Sequence, residues 1–426
     1  MMLDFSNLSN LSNHVSTLAD LVRRPSVNPM GRDVSGPEYL ETRVTDYLVQ
    51  RFLDRGIPCA RQQVAPGRDN VVARLEGSDG GDTVMLWDAH QDTVPVEGMT
   101  IEPFSPVVRN GRLWGRGACD VKGGMAAMLT GLDRLCVMKA KHPTILFSAT
   151  VNEEFGFSGI KALTRLWSSD RADILQGDHQ ARELLPRIPD VAIVAEPTEL
   201  NIVTTHKGAT RWRIKVYGRA CHSAYPERGD NAIYTSSRVV AAIETLSREL
   251  ARRNPSHPCG PPTLNVGTIR GGSGVNLVPD FVILEIERRL VPGESSDVAR
   301  REVIDRVRHA TPGARVDHEE PFLESLGLPE DSGGAFVERL ISAALATGVH
   351  AEKLSARYGT NASVLAASGV KSVVFGPGSI EQAHTVDEWI DLDQVDQAAS
   401  ILVELASAWS EKPARRATPR PRTRPE

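Results

Sequence analysis

Seven imidazole or carboxylate groups stand at the ends of short apolar runs in this 426-residue chain. His90 and Asp92 follow VMLWDA, and Asp120 precedes GGMAAMLTGL. Glu153 and Glu154 follow TILFSATV, Glu196 follows VAIVA, and His384 follows SVVFGPGSIEQA. One Asp or His in such a loop is ordinarily a cap or a solvated residue. Together they point to one place, because sites in open α/β sheets lie beyond the carboxyl ends of the strands. Nitrogen and carboxylate oxygen without thiolate select zinc, cobalt or manganese in a hydrolytic role. Two divalent ions would balance Asp120, Glu154, Glu196 and one bridging hydroxide, with His90 and His384 completing the coordination without adding charge. Ions about 3.5–4 Å apart can acidify a shared water and polarise a carbonyl. Adjacent Glu153 and Glu154 diverge in an extended chain, so one can ligate while its neighbour faces the water as general base. Asp92, two residues past His90, can accept the free imidazole N–H and fix its tautomer.

The elements that must place these groups follow from periodicity. Residues 83–88, 144–151, 190–195 and 371–375 are apolar, β-branched runs of strand length, as expected of strands buried on both faces of a mostly parallel sheet. Helical stretches at 125–137 and 334–346 lie between them, which gives an α/β layer fold. Residues 206–322 read instead as strand, helix, strand, strand, helix, strand, the split unit of ferredoxin-like domains. Trp212, Ile214 and Val216 alternate with Arg211, Arg213 and Lys215, and Val282, Leu284 and Ile286 with Glu285, Glu287 and Arg289. One face is therefore covered by helices and the other open. The expected organisation is a discontinuous catalytic domain of residues 1–205 and 323–410, with 206–322 inserted into it.

Across nearly the whole folded chain these motifs resemble the co-catalytic zinc metallopeptidases, the family of acetylornithine deacetylase, succinyl-diaminopimelate desuccinylase, aminoacylase and glutamate carboxypeptidase. The stretches that carry the resemblance are AHQDTVPV, LWGRGACDVKGGMAAM, VNEEFGFSG, VAEPTEL, GRACHSAYPERGDNAI, GGSGVNLVPD, ERRLVPGE and VVFGPGSIEQAHTVDE. The resemblance implies two Zn²⁺ per subunit, with Co²⁺ or Mn²⁺ as substitutes. His90 and Glu196 would hold one ion, Glu154 and His384 the other, with Asp120 bridging. It makes Glu153 the general base and Asp92 the orienting carboxylate, and it implies a cis peptide at Asp120–Val121. The inserted unit would act as lid and dimerisation domain of a homodimer. His222 would reach the partner's site to steady the oxyanion, and Arg289 would clamp a substrate carboxylate, with Asn276 a lesser candidate for that work. Gly376, Pro377 and Gly378 would allow close backbone approach to a ligand, or form a simple turn. The expected reaction is removal of an N-acyl group from an amino acid. The alternative is a carboxypeptidase or dipeptidase acting on a short peptide at the same site, and a non-catalytic metal-binding protein is disfavoured by the intact Glu153. Asn361, where many relatives carry Asp, counts against a cationic substrate side chain.

Composition sets the outer bounds. The net charge of -5 includes a basic, proline-rich 411–426 segment, expected to be a disordered tail. The acidic remainder argues against nucleic acid. No run approaches the ~20 apolar residues of a membrane span, and the first residues lack a leader pattern, so a cytoplasmic enzyme without membrane contact is expected. Cys59, Cys119, Cys136, Cys221 and Cys259 are scattered without CxxC spacing, which suits a reducing compartment. Cys119, beside Asp120, is expected to be packed rather than ligating. His206 and Lys207 are assigned to the interdomain hinge, and the 168–188 stretch has no assigned role.

Overall fold

The structure, a computed structural model, describes residues 13–138, 141–167 and 178–410. The 411–426 tail and residues 168–177 of the 168–188 stretch lie outside the described residues.

An eight-stranded sheet organises the larger unit. Its strands run in the order Cys59–Ala65, Arg68–Leu75, Thr144–Thr150, Val84–His90, Val191–Val194, Lys371–Phe375, Ile202–His206 and Lys353–Ala356. Pairing is parallel through the centre, where Val84–His90 lies between Thr144–Thr150 and Val191–Val194, and Val191–Val194 pairs with Lys371–Phe375. The expectation of a mostly parallel sheet holds. The antiparallel pair at one edge was not anticipated from the sequence. Every residue of Val84–His90, Thr144–Thr150 and Val191–Val194 is buried. The reason is that helices cover both faces. Trp87, Phe147 and Ile193 face one layer with Met125, Leu129 and Val395, whereas Leu86, Leu146 and Val194 face the other with Ile160, Leu163 and Leu365.

A second, wholly antiparallel sheet is built from residues between Gly208 and Ser325. Its strands run in the order Thr263–Gly271, Phe281–Leu290, Gly208–Tyr217 and Arg315–His318, with Leu323–Ser325 also paired to Gly208–Tyr217. This is the expected split unit. Helices Ala232–Leu250 and Ser296–Ala310 cover one face, where Trp212, Ile214, Leu284 and Ile286 meet Val239, Ile243, Val303 and Val307. Both helices start at side-chain caps: Asn231 accepts from the Ile233 and Tyr234 amides, and Ser295 from Val298. On the open face, Arg211 and Arg213 stand directly opposite Glu287 and Glu285 and pair with them at 2.7 and 2.9 Å. Among the described residues no helix is long and apolar enough to cross a membrane.

Candidate active site

The strand register brings the predicted groups to one edge. His90 pairs with Thr150, and Asp88 and Val374 both pair with Val194, so four parallel strands end nearly level. Glu153, Glu154 and Glu196 follow within a few residues. Asp120 lies in the tight turn Ala118–Lys122 ahead of helix Gly123–Met138, and the Asp120–Val121 peptide is cis, as the resemblance implied. His384 arrives through two consecutive turns after Gly378, in which the Gln382 and Ala383 amides donate to the carbonyls of Ser379 and Ile380.

There the side chains converge. His90 Nε2 is 3.0 Å from Asp120 Oδ1, and His384 Nε2 is 3.3 Å from both Asp120 Oδ2 and Glu154 Oε2. Asp120 thus stands between the two imidazoles. Donor atoms of His90, Glu153 and Glu196 lie within 4.8 Å of one another, as do those of His90, Asp120 and Glu154. His90, Asp120, Glu153 and Glu196 are buried, while the His384 side chain keeps 54% exposure at the rim.

So many carboxylates in one dry place need a cation. Burial, then the negative charge of Asp120, pushes Glu196 well above the usual carboxylate range. Burial likewise raises Glu153, against the pull of His90 and with Glu154 and Asp92 adding to it. Burial acts against the charge on His90, but the Asp120 hydrogen bond and the charges of Glu153 and Glu196 outweigh it and raise the imidazole. Hydrogen bonds to Asp120 and Glu154 lift His384 to about 11. Groups displaced in this way are ones a divalent cation would relieve. Glu154 Oε1 is buried and has no hydrogen-bond partner. An unpaired buried carboxylate oxygen is costly unless an ion takes it, so the donor set fits divalent metal.

The supporting contacts differ in part from expectation. His90 Nδ1 lies 2.8 Å from the Asp92 carbonyl oxygen and 3.7 Å from its carboxylate. The backbone therefore takes the imidazole N–H, because two residues of extended chain bring the carbonyl within reach first. The Asp92 carboxylate instead accepts from Asn28 Nδ2 at 2.8 Å and from the amides of Glu153 and Glu154 at 3.1 and 3.2 Å. It aims the two glutamates. Glu388 is a group that sequence reasoning missed. Its buried carboxylate accepts from the amides of Gly117, Cys119 and Asp120 at 2.8, 2.8 and 2.9 Å and from Arg116 at 2.8 Å. The available signal was its place four residues after His384, on the loop that returns to the turn holding Asp120.

A cavity of about 310 Å³ opens beside the acidic cluster, and Arg289, Arg211 and Tyr358 also line it. Arg289 thus lies where a substrate carboxylate could reach it. His222 and Asn276 do not line this cavity. They sit side by side on the small exposed two-stranded sheet of Cys221–His222 and Leu277–Val278, where the Asn276 carbonyl accepts from the Ser223 amide at 3.0 Å. Gly376 is absent from the lining too. A Cβ there would sit 2.5 Å from the Glu196 carbonyl oxygen, so the close approach it permits is to the chain's own backbone. Asn361 is buried below the site and donates to Asp88 Oδ2 and Thr150 Oγ1, both at 2.9 Å. It faces the sheet and not the substrate, which removes it as a guide to the side chain. Cys119 is buried as expected, with burial raising its thiol. His206 is buried between the Lys207 carbonyl and Thr360.

The family model described as peptidase family M20/M25/M40 matches residues 86–408. An acetylornithine deacetylase of Myxococcus xanthus is 29% identical over 367 residues, covering 84% of this chain and 89% of the relative. Among solved structures, a tripeptidase from Staphylococcus aureus superposes with a TM-score of 0.73 at 22% identity, over 94% of this chain and 98% of that one. A metallo-carboxypeptidase from Sulfolobus solfataricus gives 0.74 at 16% identity, over 94% and 100%. At those identities the likeness is one of fold. The match over most of the length makes this chain a member of peptidase family M20/M25/M40 and a hydrolase of amide bonds.

Proposed function

We propose that the protein is a dinuclear-metal amidohydrolase that removes the N-acyl group from an N-acyl amino acid. The observation that carries this reading is Asp120 held between His90 and His384 within a group of buried carboxylates, with an arginine lining the adjoining cavity. His90 and Glu196 would hold one ion, Glu154 and His384 the other, and Asp120 both; zinc is the proposed metal, with cobalt or manganese able to replace it. When bound, the ions supply Lewis acidity to the water and to the amide carbonyl.

The chain's own residues do the rest. Glu153, raised by its surroundings, takes a proton from the attacking water and delivers it to the leaving nitrogen. Asp92 fixes the Glu153 and Glu154 amides and so sets the angle between base and ligand. Arg289 receives the α-carboxylate. His222, exposed on its short strand, serves the oxyanion in the site of a second copy of this chain, the two copies joined through the 206–322 unit. A reducing cytoplasm suits the free cysteines. The deacylase reading is supported by the names of relatives aligned over most of the chain.

Metal analysis followed by turnover of N-acetyl- and N-succinyl-amino acids against dipeptides tests the proposal. Clean preference for dipeptides would replace it with an exopeptidase. Glu153→Ala should keep its metal and lose roughly 10²–10⁴ in kcat; full activity in that variant refutes the mechanism.

A further inference from the structure

Outside the acidic cluster, the charged groups that line the cavity among the described residues are Arg211 and Arg289. Arg211 could be explained as one rung of the ion-pair ladder on the open face of the second sheet. The next rung shows what such a pair looks like: Arg213 lies opposite Glu285, hydrogen-bonds to it at 2.9 Å, and does not line the cavity. Arg211 departs from that pattern. Its partner Glu287 is shared, taking Arg211 Nε on one oxygen at 2.7 Å and Arg289 Nε on the other at 3.0 Å. One carboxylate thus tethers two guanidiniums by their inner nitrogens. Among the described residues, the terminal nitrogens of neither donate a hydrogen bond to protein. Both side chains are about three-quarters shielded from water. They form two planar forks with a net positive charge, in the same cavity as the four carboxylates of the site, a cavity lined besides by Met30, Val94, Phe157, Leu323 and Ile380.

A substrate with one carboxylate fills one fork and leaves the other unmatched in a half-dry site. A cationic side chain would meet like charge there, and the remaining acids of the cavity are the proposed metal-site carboxylates. We propose that the substrate carries two carboxylates, and that Arg211 selects the second while Arg289 holds the first. This rests on the amidohydrolase reading above. The second carboxylate can come from the amino-acid side chain or from the acyl group. Either would be bound by paired N–H···O bonds from a fork that its Glu287 contact holds in place.

The test is steady-state turnover of two matched pairs: N-acetyl-glutamate with N-acetyl-glutamine for the side-chain source, and N-succinyl-alanine with N-butanoyl-alanine for the acyl source. The wild type should favour the dianion of at least one pair by roughly 10- to 100-fold in kcat/KM, the range of a charge-assisted contact. Arg211→Ser should lower kcat/KM for the dianion further than for its neutral partner and so remove that preference. Arg213→Ser, on the ladder but outside the cavity, should preserve it. If Arg211→Ser does not fold, Arg211→Lys keeps the charge, loses the fork, and should raise KM for the dianion further than for its neutral partner. Equal handling of both members of both pairs by the wild type, or an equal fall on both in the Arg211 variants, overturns the inference. Calorimetry with succinate and with butyrate separates the two readings. Succinate binding that depends on Arg211, without turnover of any amide, keeps the anion site and removes the amidohydrolase. Turnover without dianion preference does the reverse.

Discussion

Replacing Glu388 by glutamine tests how the turn that carries Asp120 is held. In the native chain two oxygens satisfy four donors: Oε1 takes the Cys119 and Asp120 amides, and Oε2 takes the Gly117 amide and Arg116 Nη1. Glutamine keeps the shape but turns one oxygen into a donor, so two of the four N–H groups face an N–H. Hydrogen bonds to a charged group are worth about 1.5–3 kcal/mol each, which gives a loss of about 3–6 kcal/mol. Arg116, itself buried, also loses its counter-charge, a cost that overlaps with the first and is not added to it. Against a typical stability of about 5–15 kcal/mol this is severe yet survivable. Urea unfolding of metal-stripped protein should show the midpoint falling by roughly 1 M or more. Metal titration should show weaker uptake, because Asp120 loses the anchor on its own amide. A midpoint within about 0.2 M of wild type, with unchanged metal uptake, would refute the assignment of Glu388 as the support of the turn.

Asn361→Asp would set a second carboxylate against buried Asp88, so a loss of about 3–5 kcal/mol is expected in thermal or urea unfolding. Adding Asp88→Asn should recover most of it, and a double variant no better than the single would show that the two do not interact. His206 supplies the pH dependence: burial lowers its pKa to about 4 from 6.5. The unfolded chain therefore takes up a proton below pH 6.5 that the folded chain refuses, and stability falls by about 3 kcal/mol between pH 6.5 and 4. His206→Gln should flatten that part of the profile, and parallel profiles for the two proteins would exclude the assignment.

The parallel centre of the large sheet and the whole alternation of the second sheet could be read from the sequence. In both, burial imposes a period or an unbroken apolar run on the chain. The metal-capable side chains could be read as well, since the ends of such runs are where a sheet delivers polar groups to one edge. What stayed hidden depends on contacts between segments far apart in the chain. Glu388 looks like a surface acid within TVDEW, and its four donors lie some 270 residues earlier. Asn361 reads as a substrate residue because many relatives carry Asp there, yet the helix it opens turns it down onto Asp88. The carboxylate of Asp92 was assigned to the imidazole, whereas the carbonyl of the same residue lies nearer. Arg211 was placed correctly on the open face, but periodicity does not report that this face borders a cavity.

The order of the large sheet has a consequence for biosynthesis. Val191–Val194 and Ile202–His206 are neighbours in sequence, yet the strand Lys371–Phe375 lies between them in the sheet. Until the ribosome has made that strand, Val191–Val194 keeps one open edge, and Ile202–His206, whose partners Lys353–Ala356 and Lys371–Phe375 are both made late, has no place in the sheet. At ~5–20 residues per second the wait is roughly ten to thirty seconds. An open, apolar strand edge of that kind is a template for foreign strands. The interval therefore coincides with synthesis of the second sheet, and the same late segment that closes the gap leads on to His384. Sealing the sheet and supplying the last imidazole of the site thus both wait for one late segment of the chain.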